Sequence, residues 1–343
     1  MLTRFADFLP PEVVQLIRTG VSAEYATVSA AGVPIDTPTF FFANADLTTL
    51  DIGTGVSYPA KADRARRNPK VGMLVEGKPD QPVISIAGYA AVQDANVQAN
   101  VERYLAETIF APNVDPELVP WEVTRARLYY VSRIIVAVAP AHVRWWPSRT
   151  AMDEAPREWR APEGTVFPQS DPAPTGSPSK APAWRQPHWT ELADQAVAGG
   201  MPAHLTLLDG GGFPVPIRVR EYQRIDEGFR LVVPRGAPWC EGKATLSFVG
   251  KEIFVGNAKV DGSEGMLRVE RGLPVLPMMD EREGPKPEQL DALNNRLAEE
   301  MQRRGQPIPR VPDVPPQPTE GARFRYAAAK AIDVKGVRAG ISE

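Results

Sequence analysis

The chain has little of several things on which function is often built. It carries one cysteine, Cys240, among 343 residues, which excludes an internal disulfide and suits a reducing cytoplasm. A small buried thiol is the ordinary role for such a residue, ahead of a nucleophile. The three histidines, His142, His188 and His204, stand far apart, and none has a companion at metal-ligand spacing, so no metal site is expected. No apolar run reaches the length of a membrane span; the best, residues 134–141, is strand-sized. The first ten residues include Arg4 and Asp7 and lack an apolar core, so no signal peptide is expected. A formal net charge of −3 leaves no basic excess for nucleic acid. The expected setting is the cytoplasm, and the expected partner is a small molecule.

Proline is plentiful, at 36 residues, and the chain is long enough for two domains with cores. Residues 25–77 organise the rest. Residues 26–29 and 34–42 read as two strands joined by a turn at Ala31-Gly32, and residues 47–52 as a third. A glycine-containing loop follows, Gly53-Thr54-Gly55-Val56-Ser57-Tyr58-Pro59-Ala60-Lys61, with Pro59 placed to open a helix. Asn68-Pro69 ends that helix, because the residue before proline is pushed out of the helical region. Lys61 sits in the first helical turn, where a cation opposes the helix dipole unless an anion lies beside it. A phosphate is the obvious anion, and a solvated lysine beside Arg64, Arg66 and Arg67 is the plainer alternative.

Ala26-Thr27-Val28, Gly32-x-Pro34, Thr37-Pro38-Thr39-Phe40, residues 53–61 and Arg67-Asn68-Pro69-x-Val71 follow one another in order. At these spacings, residues 10–145 resemble the pyridoxamine 5′-phosphate oxidase-like family of FMN-binding split β-barrels. The resemblance implies that Lys61 contacts the FMN phosphate. It implies that Thr37, Pro38, Thr39 and Phe40 lie along the isoalloxazine ring, and that Asp51, Ile52, Gly53, Thr54, Ser57 and Tyr58 complete the cofactor site. The oxidase itself has arginines where Thr37 and Ala60 stand, which argues against vitamin B6 oxidation here.

The remaining chain divides by texture. Residues 10–19 read as a helix ended by Gly20, residues 71–76 and 82–92 as strands, and Gly88 as a bulge. Residues 96–110 and 121–130 read as helices, and 133–139 with 140–145 as the last strand region. The pair Trp145-Trp146 is read as core or interface packing. Residues 147–187 hold nine prolines and several aromatics, an arm laid on the surface. Residues 188–277 repeat the first half: His204-Leu205-Thr206-Leu207-Leu208 parallels Tyr25-Ala26-Thr27-Val28-Ser29, and Gly211-Gly212-Phe213-Pro214 parallels Ala31-Gly32-Val33-Pro34. Within the repeat, residues 190–198 read as a helix with Leu192, Ala196 and Val197 inward, and 215–222, 229–234, 244–249 and 252–260 as strands. Lys243 reads as a solvated turn residue. Arg218 and Arg220 share a face, able to take a carboxylate. Residues 287–304 form an amphipathic helix, and 322–341 a docked tail.

The fold class expected is α+β, mainly β: two tandem split β-barrels with a proline-rich linker and a C-terminal helix. The expected division is 1–146, 147–187, 188–280 and 281–343. The leading function is an FMN-dependent oxidoreductase acting on a small organic, aromatic substrate, with NAD(P)H as reductant and no assigned catalytic residue. The alternatives are a non-catalytic flavin- or F420-binding module and a haem-binding split barrel, the last disfavoured by the lack of histidine beyond His204. An intrachain pseudo-dimer, with further homodimerisation open, is the expected assembly.

Overall fold

A computed structural model describes residues 4–111, 114–179, 187–237, 241–274 and 286–339, the last nine of these as backbone only. Cys240, residues 180–186 of the proline-rich arm and residues 275–285 lie outside the described residues.

The first sheet is built from β1 (Ser22–Val28), β2 (Pro34–Ala43), β3 (Leu50–Gly55), β4 (Lys70–Glu76), β5 (Val83–Gln93), β6 (Arg133–Trp146) and β7 (Arg157–Arg160). Its order is β3-β2-β1-β4-β5-β6-β7, and β3 also pairs with β6, so six strands close into a barrel. Closure removes both sheet edges and buries one face of every strand. Phe41, Ile52, Met73, Ile84 and Val136 fill the interior. Helix α1 (Pro11–Thr19) buries Val13, Leu16 and Ile17 against this core. Between β3 and β4 runs α2 (Ala60–Arg67), with Pro59 as its N-cap residue. Helix α3 (Val97–Thr108) is capped by the Asn96 side chain. The region read as one helix at 121–130 is two short ones, α4 (Trp121–Ala126) and α5 (Leu128–Val131), because Arg127 leaves the helical region at φ −92°, ψ 41°.

The second sheet contains β8 (Ala203–Leu208), β9 (Pro214–Arg218), β10 (Glu221–Ile225), β11 (Gly228–Val232), β12 (Gly242–Phe248), β13 (Glu252–Asp261) and β14 (Glu264–Gly272), preceded by α6 (Trp189–Gly199). Its order, β10-β11-β14-β13-β12-β8-β9, repeats that of the first sheet, with β8 for β1, β9 for β2, β12 for β4, β13 for β5, β14 for β6 and β11 for β3. The inserted β10 takes the place beside β11 that β2 has beside β3, and among the described residues no pairing closes β9 on β10. The second copy is therefore an opened barrel. Both copies carry a β-bulge at matching places, between Ala87 and Gly88 and between Val255 and Gly256. At Gly88 and Gly256 an added Cβ would press on the carbonyls of Ala139 and Arg268, which is why glycine stands at both.

Several sequence expectations are corrected here. Residues 215–222 are not one strand: the chain turns after Arg218, and β10 starts at Glu221. The strand β14 was not expected, because its burial alternates between buried and exposed residues with few large apolar ones. Val197 is 43% exposed, and Leu192, Ala193 and Ala196 form the buried side of α6. The repeat is shifted by one residue along β8: Val28 pairs with Pro34 and Leu208 with Pro214, so Glu24, not Tyr25, is the counterpart of His204. Lys243 is not a free turn residue. It lies in β12 and donates to the Ala31 carbonyl at 2.5 Å, while its counterpart Lys70 donates to the Gly211 carbonyl at 2.7 Å.

The two sheets face each other reciprocally. β4 packs on β9 and β12 on β2; β1 packs on β9 and β8 on β2. At Gly72 the Pro214 carbonyl leaves no room for a Cβ, and at Gly250 the Pro38 ring does the same. The proline-rich arm runs over the first barrel. β7 adds to β6, Val92 N–H donates to Ser170 Oγ, and the Asp94 and Ala95 N–H groups donate to the Asp171 carboxylate. Helices α7 (Pro287–Arg303) and α8 (Glu320–Ala339) then return to the barrel. α7 buries Leu293, Leu297 and Met301, and Tyr326 of α8 stacks on Phe110 at 4.2 Å. Among the described residues no helix is long and apolar enough to cross a membrane.

Candidate functional site

Lys61 is half-buried at the start of α2, and its Nζ donates to Thr39 Oγ1 at 2.9 Å. Thr39 in turn donates to the Thr37 carbonyl at 3.3 Å. The Thr37 hydroxyl is buried without a partner. Because side chains alternate along a strand, Thr37 and Thr39 share a face, and Pro38 and Phe40 share the other. Pro38 lies against Gly250, and Phe40 meets the Tyr104 ring edge-on at 6.2 Å. Of the four β2 residues, the structure brings Thr39 to Lys61, with Thr37 on the same face of the strand.

The other expected residues have different neighbours. Gly53, Thr54 and Gly55 are strand, not loop: β3 runs on to Gly55, and Leu47 belongs to the preceding turn with φ 53°. Gly53 makes room for the Tyr104 ring and Gly55 for the Tyr58 ring. Ile52 is in the barrel core, and Thr54 is buried. Asp51 accepts from Thr49 at 2.8 Å and pairs with Arg103 of α3. Ser57 Oγ donates to the Leu293 carbonyl of α7 at 2.9 Å. Burial pushes the Tyr58 hydroxyl up to about 12.

Electrostatically, Lys61 is flanked by two arginines, Arg64 and Arg133. Burial, together with the charges of Arg64 and Arg133, lowers the Lys61 pKa from 10.5 to about 7, against the opposing pull of Glu24 and Asp36. Arg64 is held by Thr27 Oγ1 at 2.7 Å. Arg133 is clamped between the Tyr104 and Tyr130 rings, at 4.7 and 4.3 Å from their centres. Neither arginine stood out as a site residue in the sequence. Arg133 opens the final strand, and only its position beside β3 in the closed barrel brings it to Lys61.

Behind Lys61, where the sheets meet, lies a buried polar group that sequence reading missed. His204 Nδ1 is 3.4 Å from Glu24 Oε1, and His204 Nε2 is 3.3 Å from Glu76 Oε2. Arg218 also reaches Glu76, at 3.5 Å. Asp36 accepts from Thr245 Oγ1 at 2.8 Å. Burial alone would lower the His204 pKa; the hydrogen bond to Glu76 and the charges of Glu24, Glu76 and Asp36 outweigh it and raise it. Burial would raise Glu76, but His204, Arg218 and Arg149 bring it below its ordinary value. Glu24 is pushed up to about 7, chiefly by burial.

Arg218 and Arg220 line one cleft of about 470 Å³ with Arg149 and Asp153, where Arg220 pairs with Asp153 at 2.8 Å. Arg224 is elsewhere, on β10 beside Asp194. Trp146 is buried and donates to the Glu154 carbonyl, and Trp145 is in the barrel core. Among the described residues no group of histidine, cysteine and carboxylate ligands could hold a metal.

No family model and no curated protein matches the chain. Solved structures do. General stress protein 26 from Bacillus anthracis str. Sterne is 16% identical, with a TM-score of 0.30 over 44% of this chain and 96% of that one. A pyridoxamine 5′-phosphate oxidase-related, FMN-binding protein from Nostoc punctiforme is 14% identical, with a TM-score of 0.30 over 40% of this chain and 84% of that one. HutZ, a heme storage protein from Vibrio cholerae, is 14% identical, with a TM-score of 0.28 over 38% and 89%. By its own topology, the chain is a split β-barrel protein in tandem, one closed six-stranded barrel followed by an opened copy of the same strand order.

Proposed function

We propose that the first barrel binds the phosphate of FMN, or of a deazaflavin such as F420, at Lys61, and that the chain is a flavin-dependent oxidoreductase. The observation that carries this reading is the Lys61 ammonium: half-buried, depressed to about 7, and hydrogen-bonded among the described residues to the Thr39 hydroxyl. A phosphate there would offset the repulsion from Arg64 and Arg133, and it could accept from the unpartnered Thr37 hydroxyl. The residues present fit the phosphate end of the cofactor. Gly53, Gly55, Asp51 and Ser57 are engaged within the protein, so they serve the site by fixing β3 and α2.

A bound flavin supplies hydride transfer, and the chain supplies position and charge. Thr39 orients the ammonium, and α2 presents it. The haem alternative finds no support in His204, which is held between Glu24 and Glu76. The test is to reconstitute the protein with FMN, add NADH or NADPH, and follow the visible flavin absorbance, then add a panel of nitro- and carboxy-aromatic acceptors. Bleaching followed by acceptor-dependent recovery supports an oxidoreductase. FMN binding without bleaching by either nucleotide indicates a binding module, and pyridoxal phosphate formation from pyridoxamine phosphate would overturn the exclusion of vitamin B6 chemistry.

A further inference from the structure

A second cleft, of about 550 Å³ and without Lys61 in its lining, lies where three parts of the chain meet: β5 and β6 of the barrel, the arm just after β7, and the β8–β9 turn. One wall is aromatic. The Tyr89 ring lies 4.5 Å from that of Phe167 and 5.3 Å from that of Phe213, the latter nearly perpendicular at 78°. Tyr89 and Phe213 also stand near the Lys70 ammonium, which is 5.3 Å from the Phe213 ring. The other wall is a buried cation. Arg144 is 7% exposed; its Nη2 donates to Asp209 at 3.3 Å, while its Nη1 is buried and has no acceptor. Beside it, His142 is tied to Glu158 at 2.6 Å, and Arg160 stands at the rim with its side chain 65% exposed.

An unpaired guanidinium nitrogen at that burial is costly unless something accepts from it. Asp209 does not supply the second acceptor, because its Oδ1 already takes the Gly211 and Phe213 N–H groups at 2.9 and 3.0 Å. The volume suits a ligand of small-molecule size, and a ring flanked by a carboxylate would match both walls at once.

We propose that this cleft is a binding site for a planar aromatic carboxylate, its ring against Tyr89, Phe167 and Phe213 and its carboxylate on the Arg144 guanidinium that lines the cleft. The site is separate from the Lys61 site and does not depend on the function assigned to it. It exists because the arm and the second sheet are joined to the barrel in one chain.

Anthranilate, a fluorescent aromatic acid, and its neutral amide, anthranilamide, are the probes, titrated against the full chain without cofactor. The expected result is saturable anthranilate binding at one site per chain, with the amide at least about tenfold weaker, as loss of a charged hydrogen bond requires. Arg144→Lys should weaken anthranilate by about tenfold, and Phe167→Ala, on the less buried arm, should weaken both probes. Denaturant midpoints of the variants show whether they are folded; if Arg144→Lys is unfolded, Phe167→Ala and the acid-to-amide ratio decide. Acid and amide binding alike, no saturable binding, or folded variants that bind as wild type would overturn the proposal. Displacement of anthranilate by FMN would overturn the separateness of the two sites.

Discussion

Glu24 and His204 occupy equivalent positions in the two sheets, and they meet, with Glu24 Oε1 3.4 Å from His204 Nδ1. At this position two identical copies would place like residues face to face. Here an acid faces a base, which makes the tandem pairing directional. Asp36 and Thr245 continue the same asymmetry, since their counterparts are Pro216 and Gly72.

The group makes stability depend on pH, each member with its own sign. His204 binds its proton more tightly folded than unfolded, so its contribution is full below pH 6.5 and is lost as pH rises through the higher folded value. Glu24, raised from 4.5 to about 7, also holds its proton more tightly when folded, and loses its contribution as pH rises across that window. Glu76 runs the other way and loses its contribution as pH falls below 4.5. Lys61 opposes His204 and Glu24: held down from 10.5 to about 7, it adds stability as pH rises through the same window. Glu24→Gln removes a falling contribution and Lys61→Met removes the rising one, so the urea midpoint at pH 8 relative to that at pH 6 should rise in the first variant and fall in the second. An unchanged profile in both variants would count against the network. His204→Phe should cost about 3–5 kcal/mol, the range for leaving a buried partner charge uncompensated.

Gly72 should tolerate no side chain. An added Cβ would overlap the Pro214 carbonyl of the facing sheet, which is backbone and has little freedom to move. Gly72→Ala should fall at the top of the ~1–3 kcal/mol range for overpacking. Gly199→Ala, where the nearest atom is Met201 Cγ at 3.9 Å, should be close to neutral. Denaturant unfolding of the two variants side by side checks the sheet-on-sheet contact.

Glu300 ties helix α7 to the arm. It is fully buried, accepts the Ser179 N–H at 2.7 Å, and pairs with Arg303 and Arg304 at 2.7 and 2.5 Å. Burial would raise its pKa, but these hydrogen bonds bring it down to about 2. Its contribution is present above pH 4.5 and is lost as pH falls toward 2. Glu300→Gln should cost about 3–5 kcal/mol and speed proteolytic cleavage of the arm near Ser179, while cleavage inside the barrel stays slow.

Ligand binding at Lys61 should also follow pH. Only the ammonium form attracts phosphate, and its pKa is about 7 without ligand. FMN affinity should be greatest below that value and fall above it, and Lys61→Arg, charged at every accessible pH, should remove the dependence. A pH-independent wild type would separate the lysine from the phosphate.

Much of the barrel was legible in the sequence because its strands are apolar runs punctuated by glycine and proline. The bulge at Gly88, the Asn68-Pro69 helix stop and the Gly212-Phe213-Pro214 turn all stand where local chemistry put them. The repeat was legible in its turns and misread by one residue in β8, and a one-residue slip moves every side chain to the opposite face. That slip hid the pairing of Glu24 with His204. The strand β14 escaped because its alternation includes charged residues and two glycines. At the candidate site, Lys61 and Thr39 came from a local motif, whereas Arg133 and Arg64 depend on how the barrel closes. Gly53 and Gly55 look like ligand-cradling glycines in the sequence, and in the fold they accommodate tyrosine rings.

The most direct measurement is a pair of titrations, FMN and riboflavin, against the full chain at pH 6, with Lys61→Ala alongside. The two ligands differ only in the phosphate. FMN should bind, riboflavin should bind at least about tenfold more weakly, and Lys61→Ala should cost FMN about 1.5–3 kcal/mol while leaving riboflavin nearly unchanged. Equal binding of the two flavins, or FMN affinity untouched by Lys61→Ala, would contradict it.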